Sequence, residues 1–262
     1  MPIITILTDF GTKDGFVGTM KGVIWSIDPA IQIADISHEV APQNVTEGAI
    51  ALWRAAPFFP AGTVHIAVVD PGVGTHRRPM AARLGEQYFV GPDNGLFTPI
   101  IEDARKTGQP MLFVHLDNPA FWLANVSHTF HGRDIFAPAG AHLAHGVPLE
   151  KLGTPFTDPV LVPLLQPQKT ATGYLAHIRV VDVFGNLTTD LPGAELNGRS
   201  VEVKFKGHTI DSLSPSYGHQ PVGALVSLID SEGFLEVAVV NGSAAKTLGA
   251  KVGDTLEILV KG

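Results

Sequence analysis

Asp70, Arg77 and His131 are the residues best suited by type and spacing to do chemistry. Residues 64–69 are β-formers, and the run ends on Asp70. The chain then turns through Pro71, Gly72 and Gly74 into Arg77 and Arg78. Ligand sites in open α/β sheets gather at the carboxyl ends of strands, where this carboxylate falls. An Asp before Pro-Gly is also an ordinary turn former. An arginine across a glycine turn, however, can return to hold a carboxylate ionised and oriented. His131 stands in Thr129-Phe130-His131-Gly132-Arg133-Asp134, a polar knot that opens a helix. There an imidazole can share a water with Asp70, and the pair can orient that water and take its proton.

A third polar knot, Thr8-Asp9-Phe10-Gly11-Thr12-Lys13-Asp14, follows the first strand. A carboxylate just past a strand can accept both hydroxyls of a ribose diol, which favours Asp9. Asp14 fits better as a cap for the helix starting at Phe16. Asp-Phe-Gly has no His-Arg-Asp partner, so it is not a kinase signature. Gly72-Val73-Gly74 would need glycine at position 77 to be a dinucleotide fingerprint, and arginine stands there. No phosphate loop is present.

These residues need elements to position them. Residues 1–153 alternate strand and helix patterns: strands over 3–7, 31–36, 64–69 and 111–116, and helices over 16–27, 45–54 and 135–145. A hairpin spans 80–84 and 87–91. This alternation predicts a mainly parallel sheet covered by helices on both faces. Four prolines (155, 159, 163 and 167) mark residues 154–170 as an extended linker. Residues 171–262 show no convincing helix. Short strands at 174–183, 201–205, 224–229, 234–240 and 255–260 predict a smaller all-β, barrel-like domain. The expected fold is therefore α/β followed by all-β.

The chain has 262 residues, 16% of them charged, and a net charge of −7. It has no basic run, which argues against a nucleic-acid partner. Its apolar start is too short for a membrane span and lacks the basic flank of a signal peptide, so a soluble cytoplasmic protein is expected. It has no cysteine, which removes disulfides and thiolate chemistry. His65, His115 and His177 lie in strand patterns and read as packed histidines; His142 and His145 read as surface residues.

The motifs TDFGTKD, DPGVGT with Arg77, GPDNGL, TFHGRDIFAPAGAHLA, FGN and NGSAA, in this order, resemble the S-adenosyl-L-methionine hydroxide adenosyltransferase family, relatives of the fluorinating and chlorinating enzymes. The resemblance covers nearly the whole chain. It implies hydrolysis of S-adenosyl-L-methionine at the ribose C5′, giving adenosine and L-methionine, without metal or other cofactor. It places the family's catalytic Asp–Arg–His triad on Asp70, Arg77 and His131, with Arg78 the substitute for Arg77. It also implies that Asp9 holds the ribose, Asp182 the α-ammonium, Asn186 the adenine edge and Ser231 the carboxylate. Phe184 belongs to the same motif as Asp182 and Asn186. Tyr217 would stack on adenine, which the backbone of Asn241, Gly242 and Ala244 would meet. Halogenating relatives lack the carboxylate at position 70, carry a hydroxyl residue at 132, and have an insertion near 84–87. Where Gln43 stands, the fluorinating enzymes have a tryptophan lining the ribose.

The resemblance further implies a homotrimer whose sites draw on two subunits. Three other readings are a halide adenosyltransferase, a metal-dependent hydrolase using Asp9, Asp14, Asp70 and His131, and a nucleoside-binding or sensing module without catalysis.

Overall fold

The computed structural model describes residues 1–261, which divide into two units, Met1–Val162 and Pro163–Gly262. The first unit contains, in chain order, β1 (Ile3–Thr8), α1 (Phe16–Ile27), β2 (Gln32–Ser37), α2 (Val45–Ala55), β3 (Val64–Val68), β4 (Pro79–Leu84), β5 (Gln87–Pro92), α3 (Thr98–Lys106), β6 (Met111–His115), α4 (Ala137–Ala144) and β7 (Thr154–Phe156). Its sheet has the order β2-β1-β3-β5-β4-β6-β7. The pairs β1–β2, β1–β3 and β3–β5 are parallel, and β4–β5, β4–β6 and β6–β7 are antiparallel. Strands β2, β1, β3, β5 and β6 therefore run one way, and β4 and β7 the other. The sheet is mainly parallel.

Side-chain alternation along β3 explains the layers. Val64, Ile66 and Val68 pack with Met20 and Ile24 of α1 and Ala137 and Ala141 of α4. Ala67 and Val69 pack on the opposite face with Ala49 and Leu52 of α2 and Ile101 of α3. Carried one residue further, the alternation puts Asp70 on the face covered by α4.

Helix α2 starts as its sequence predicts: Asn44 Oδ1 accepts from the Glu47 N–H at 3.1 Å. Asp14 does not cap α1, whose N-cap position is Gly15 and which has no side-chain cap. Helix α3 has no counterpart in the sequence reading. Its signal was present in Pro99, a first-turn proline, and in the buried positions Ile101 and Ala104. At the end of the unit, β7 adds residues 154–156 of the proline-rich stretch to the sheet edge.

The second unit contains β8 (Gln168–Lys169), β9 (Gly173–Val181), β10 (Leu187–Pro192), β11 (Val201–Phe205), β12 (His208–Ile210), β13 (Leu225–Ile229), β14 (Phe234–Val239), α5 (Ala244–Leu248) and β15 (Thr255–Val260). The order is β12-β11-β15-β9-β10-β14-β13, with β8 on β9, and every strand pair is antiparallel. A bridge between Leu213 and Ser227 brings the two ends of the path together, so the sheet is a nearly closed barrel. Strand β10 escapes the sequence reading because Asp190 and Pro192 look like a turn. In the fold, Asp190 is buried against His177, accepting from its backbone N–H at 2.8 Å. The sequence also gave no helix here, whereas α5 is one. It has five residues, too few for a periodic signal, and is capped by Ser243 Oγ, which accepts from the Lys246 N–H.

Candidate functional site

Asp70 leaves the end of β3 into a turn closed by the Val73 N–H on the Asp70 carbonyl and the Thr75 N–H on the Gly72 carbonyl. Gly74 sits at φ +75, and a Cβ there would stand 2.2 Å from the His128 carbonyl oxygen. Only glycine allows this turn to lie against the loop that carries His131. The turn returns Arg77 to Asp70. Arg77 Nε donates to Asp70 Oδ1 at 3.1 Å and Nη2 donates to Oδ2, a two-pronged pair. Both side chains are almost fully buried, 7% exposed for Arg77 and 4% for Asp70.

Arg77 Nη2 also lies 3.2 Å from His131 Nδ1. A guanidinium has no acceptor, so it donates here; Nδ1 carries the lone pair and the ring proton sits on Nε2. The structure thus brings Asp70, Arg77 and His131 together. Burial raises the Asp70 carboxyl above its ordinary value, against the pull of the Arg77 cation. Burial and the Arg77 charge together lower His131, while Asp70 and Asp134 act the other way. The site therefore combines a basic carboxylate with a neutral imidazole.

Arg78 is engaged elsewhere. It donates to Asp93 Oδ2 and Asp158 Oδ1, both at 2.9 Å, and lies 4.2 Å from the Phe156 ring centre. It ties the start of β4 to the proline-rich stretch and cannot substitute for Arg77. Asp9, past β1, accepts from the Gln43 backbone N–H at 2.7 Å. Gln43 has φ +66, so this contact holds the chain in a conformation that side chains disfavour. Gly132 stands in a π-helical turn, Gly132–Phe136. A Cβ there would meet Met20 Sδ and Phe130 at 3.3 Å, so a hydroxyl residue requires neighbours to move.

Asn94 escaped the sequence reading. Its Nδ2 donates to the Val69 carbonyl at 2.8 Å, anchoring the residue before Asp70. In the sequence it stands within the GPDNGL motif, where Asp93-Asn94-Gly95 reads as a turn and no role falls to Asn94. Among the described residues, no group of three or more His, Cys, Asp or Glu is arranged to hold a metal ion. No helix among them is long and apolar enough to cross a membrane.

In the second unit, Asp182 serves its own turn. Its Oδ1 accepts from the Phe184 and Asn186 N–H groups at 3.0 and 2.8 Å, and its Oδ2 accepts from Asn186 Nδ2 at 3.2 Å. Phe184 is 73% exposed and Val183 92%. Tyr217 donates to Glu236 Oε1 at 2.6 Å; burial and this carboxylate push its hydroxyl up, and the charges of Asp182 and Asp230 add to the effect. Ser231 is exposed in the β13–β14 turn. Asn241 (φ +52) and Gly242 lead into α5, whose Ala244 side chain is buried. The Ala245 N–H donates to the Gly185 carbonyl at 2.9 Å, which brings the 182–186 and 241–245 loops together.

The chain thus has a mainly parallel α/β sheet with a carboxylate–guanidinium–imidazole set at the end of β3, followed by a β-barrel unit. Residues 4–153 match the SAM hydroxide adenosyltransferase N-terminal domain and residues 176–257 the C-terminal domain of the same family. The chain belongs to the SAM hydroxide adenosyltransferase family. It is 41% identical to a protein of Salinispora tropica named (R)-S-adenosyl-L-methionine hydrolase, over 98% of this chain and 97% of the relative. A protein of the same name from Thermus thermophilus is 40% identical over 98% and 99%. Fluorinases are more distant, at 28% identity. A crystal structure of an uncharacterised conserved protein from Thermotoga maritima superposes with a TM-score of 0.91 at 37% identity, covering 98% of this chain and 99% of that one.

Proposed function

We propose that this chain hydrolyses S-adenosyl-L-methionine at the ribose C5′, releasing adenosine and L-methionine. The observation that carries the reading is the contact of Asp70, Arg77 and His131 at the end of β3. It is supported by relatives named for this activity across nearly the full chain. Their name specifies the (R) sulfonium, and we carry that epimer over.

The sulfonium is already an activated leaving group, so the task is to place a water in line behind C5′ and accept its proton. Asp70 is the acceptor, because burial makes its carboxylate more basic. His131 presents its Nε2–H to the water and orients it. Arg77 Nη1 is buried with no protein partner, and a water is the group that can satisfy it. As the water oxygen bonds to C5′, the C5′–S bond breaks, the electron pair stays on the methionine sulfur and the proton goes to Asp70. The reaction so written uses neither metal nor cofactor. Both Asp70 oxygens are held by Arg77, a cation already where a metal would bind.

Substrate recognition is assigned to Asp9, Asp182, Phe184, Asn186, Tyr217, Ser231, Asn241, Gly242 and Ala244. The reading extends to a cytoplasmic homotrimer, as the resemblance implies. Its test is incubation of the purified protein with each sulfonium epimer, with and without high chloride or fluoride, followed by chromatography. Adenosine and methionine should appear from the (R) epimer, and added halide should not divert the product, because a carboxylate beside the nucleophile position repels anions. Absence of adenosine, or mainly 5′-halo-adenosine, overturns the reading.

A further inference from the structure

The loop between Trp122 and Phe130 contains no helix or strand, yet it delivers His131 to Arg77. One fully buried carboxylate holds it. Asp134 Oδ2 accepts from the Ser127 N–H at 2.8 Å and from Ser127 Oγ at 2.7 Å. Ser127 Oγ accepts in turn from the Phe130 N–H at 3.1 Å. The Phe130 carbonyl receives the Arg133 and Asp134 N–H groups, both at 3.1 Å, and so opens the π-helical turn. Hydrogen bonds thus run from Asp134 to Ser127, to Phe130 and back to Asp134, enclosing His131. The Arg133 guanidinium pairs with the same carboxylate and lies 5.2 Å from the Phe130 ring centre. On its outer side, the loop meets the Asp70 turn where the His128 carbonyl lies against Gly74.

A carboxylate with no exposure is costly unless fully satisfied, and an apolar side chain would fill the same space without that cost. Packing alone therefore does not account for Asp134. We propose that Asp134 is a positioning residue: through Ser127 it fixes the turn that presents the His131 ring to Arg77 with its proton on Nε2. It touches neither the water nor the substrate. Its charge also lies close enough to favour the protonated form of His131, which is consistent with this placement.

The proposal rests on the hydrolase reading, and a double-mutant cycle with His131 tests it. If Asp134 acts through His131, Asp134→Asn lowers kcat roughly tenfold to a hundredfold, the usual penalty for a misplaced group, with KM changed less than twofold. In the His131→Ala background the same substitution changes kcat less than twofold. An equal loss in both backgrounds shows a merely structural role and overturns the proposal. If Asp134→Asn does not fold, Ser127→Ala enters the same cycle, and Ser127→Thr, which keeps the hydroxyl, should restore turnover. Nitrogen-15 spectra of the histidine rings, with His131 assigned from the His131→Ala spectrum, provide a readout independent of activity. Wild-type protein should show a single Nε2–H tautomer for His131, and Asp134→Asn or Ser127→Ala a mixture of tautomers. Unchanged His131 signals in the variants overturn the proposal. If wild-type protein releases no adenosine, the hydrolase reading fails and the spectra alone decide whether Asp134 positions His131.

Discussion

At the scale of the residue, the two proton-handling groups are displaced in opposite directions by the same burial. The Asp70 carboxyl lies above its ordinary 3.8 and the His131 imidazole below its ordinary 6.5. Hydrolysis as proposed needs Asp70 ionised and His131 neutral, so activity is complete at neutral pH and is lost as pH falls. We expect the acid limb of kcat/KM to have its midpoint above the ordinary aspartate value of 3.8, because the burial of Asp70 raises its carboxyl. A midpoint at or below 3.8 contradicts the assignment. Asp70→Asn keeps the shape but cannot accept a proton, and should slow turnover by roughly 10²–10⁴, the usual range for such a group. Binding of S-adenosylmethionine, measured by calorimetry, should persist, because recognition is assigned to other residues. Full turnover by Asp70→Asn would remove Asp70 from the mechanism. The sequence pointed to Asp70, Arg77 and His131 because a strand-end carboxylate, a glycine turn and a helix-opening histidine are local patterns. It preferred Arg77 and kept Arg78 as its substitute; the two are adjacent, and tertiary contacts send Arg77 to Asp70 and Arg78 to Asp93 and Asp158. Asn94 and Asp134 were missed for a related reason. Each acts on a segment that its own sequence neighbourhood does not reveal.

At the scale of the element, β3 must be rigid for Asp70 to be placed, and it carries a liability in His65. This histidine is fully buried, shares a 2.7 Å hydrogen bond with Thr5 Oγ1 and stacks on Phe89. Burial pushes its ring down to about 4. Between the ordinary value of 6.5 and about 4, the unfolded chain takes up a proton that the folded chain refuses, so stability falls as pH falls through that window. The loss approaches about 1.4 kcal/mol per pH unit within it. All three tryptophans (25, 53 and 122) lie in the first unit, so their fluorescence follows that unit alone. Urea midpoints at pH 7 and pH 5 should differ by more in wild-type protein than in His65→Gln. Parallel losses in the two proteins would place the acid sensitivity elsewhere. The central strands β1 and β3 were legible as short runs dominated by apolar β-formers. The misses include α3, β10, α5 and the short strands β7, β8 and β12, elements whose propensity is overridden by packing or whose length is too short for a period to register.

At the scale of the whole molecule, the proposed catalytic and substrate-binding residues are divided between the two units. Asp70, Arg77 and His131 belong to the first, and Asp182, Asn186 and Ser231 to the second. The β9–β10 turn ends in two apolar side chains, Val183 and Phe184, left largely to solvent. If the protein is a homotrimer in which one site draws its catalytic and binding residues from different subunits, two inactive variants should rescue one another. Asp70→Asn disables the first set and Asp182→Ala the second. A mixed trimer then contains some sites with an intact first unit from one chain and an intact second unit from its neighbour. Co-refolded mixtures should regain a fraction of wild-type adenosine release that neither variant shows alone. Light scattering must first show a trimer, and tagged pull-down must show that the chains have mixed. Asp182→Ala also loses the acceptor for three bonds of its own turn, so Asp182→Asn, which keeps an amide oxygen there, serves as the milder partner. Mixed trimers that form and stay inactive would assign both sets of residues in each site to a single chain.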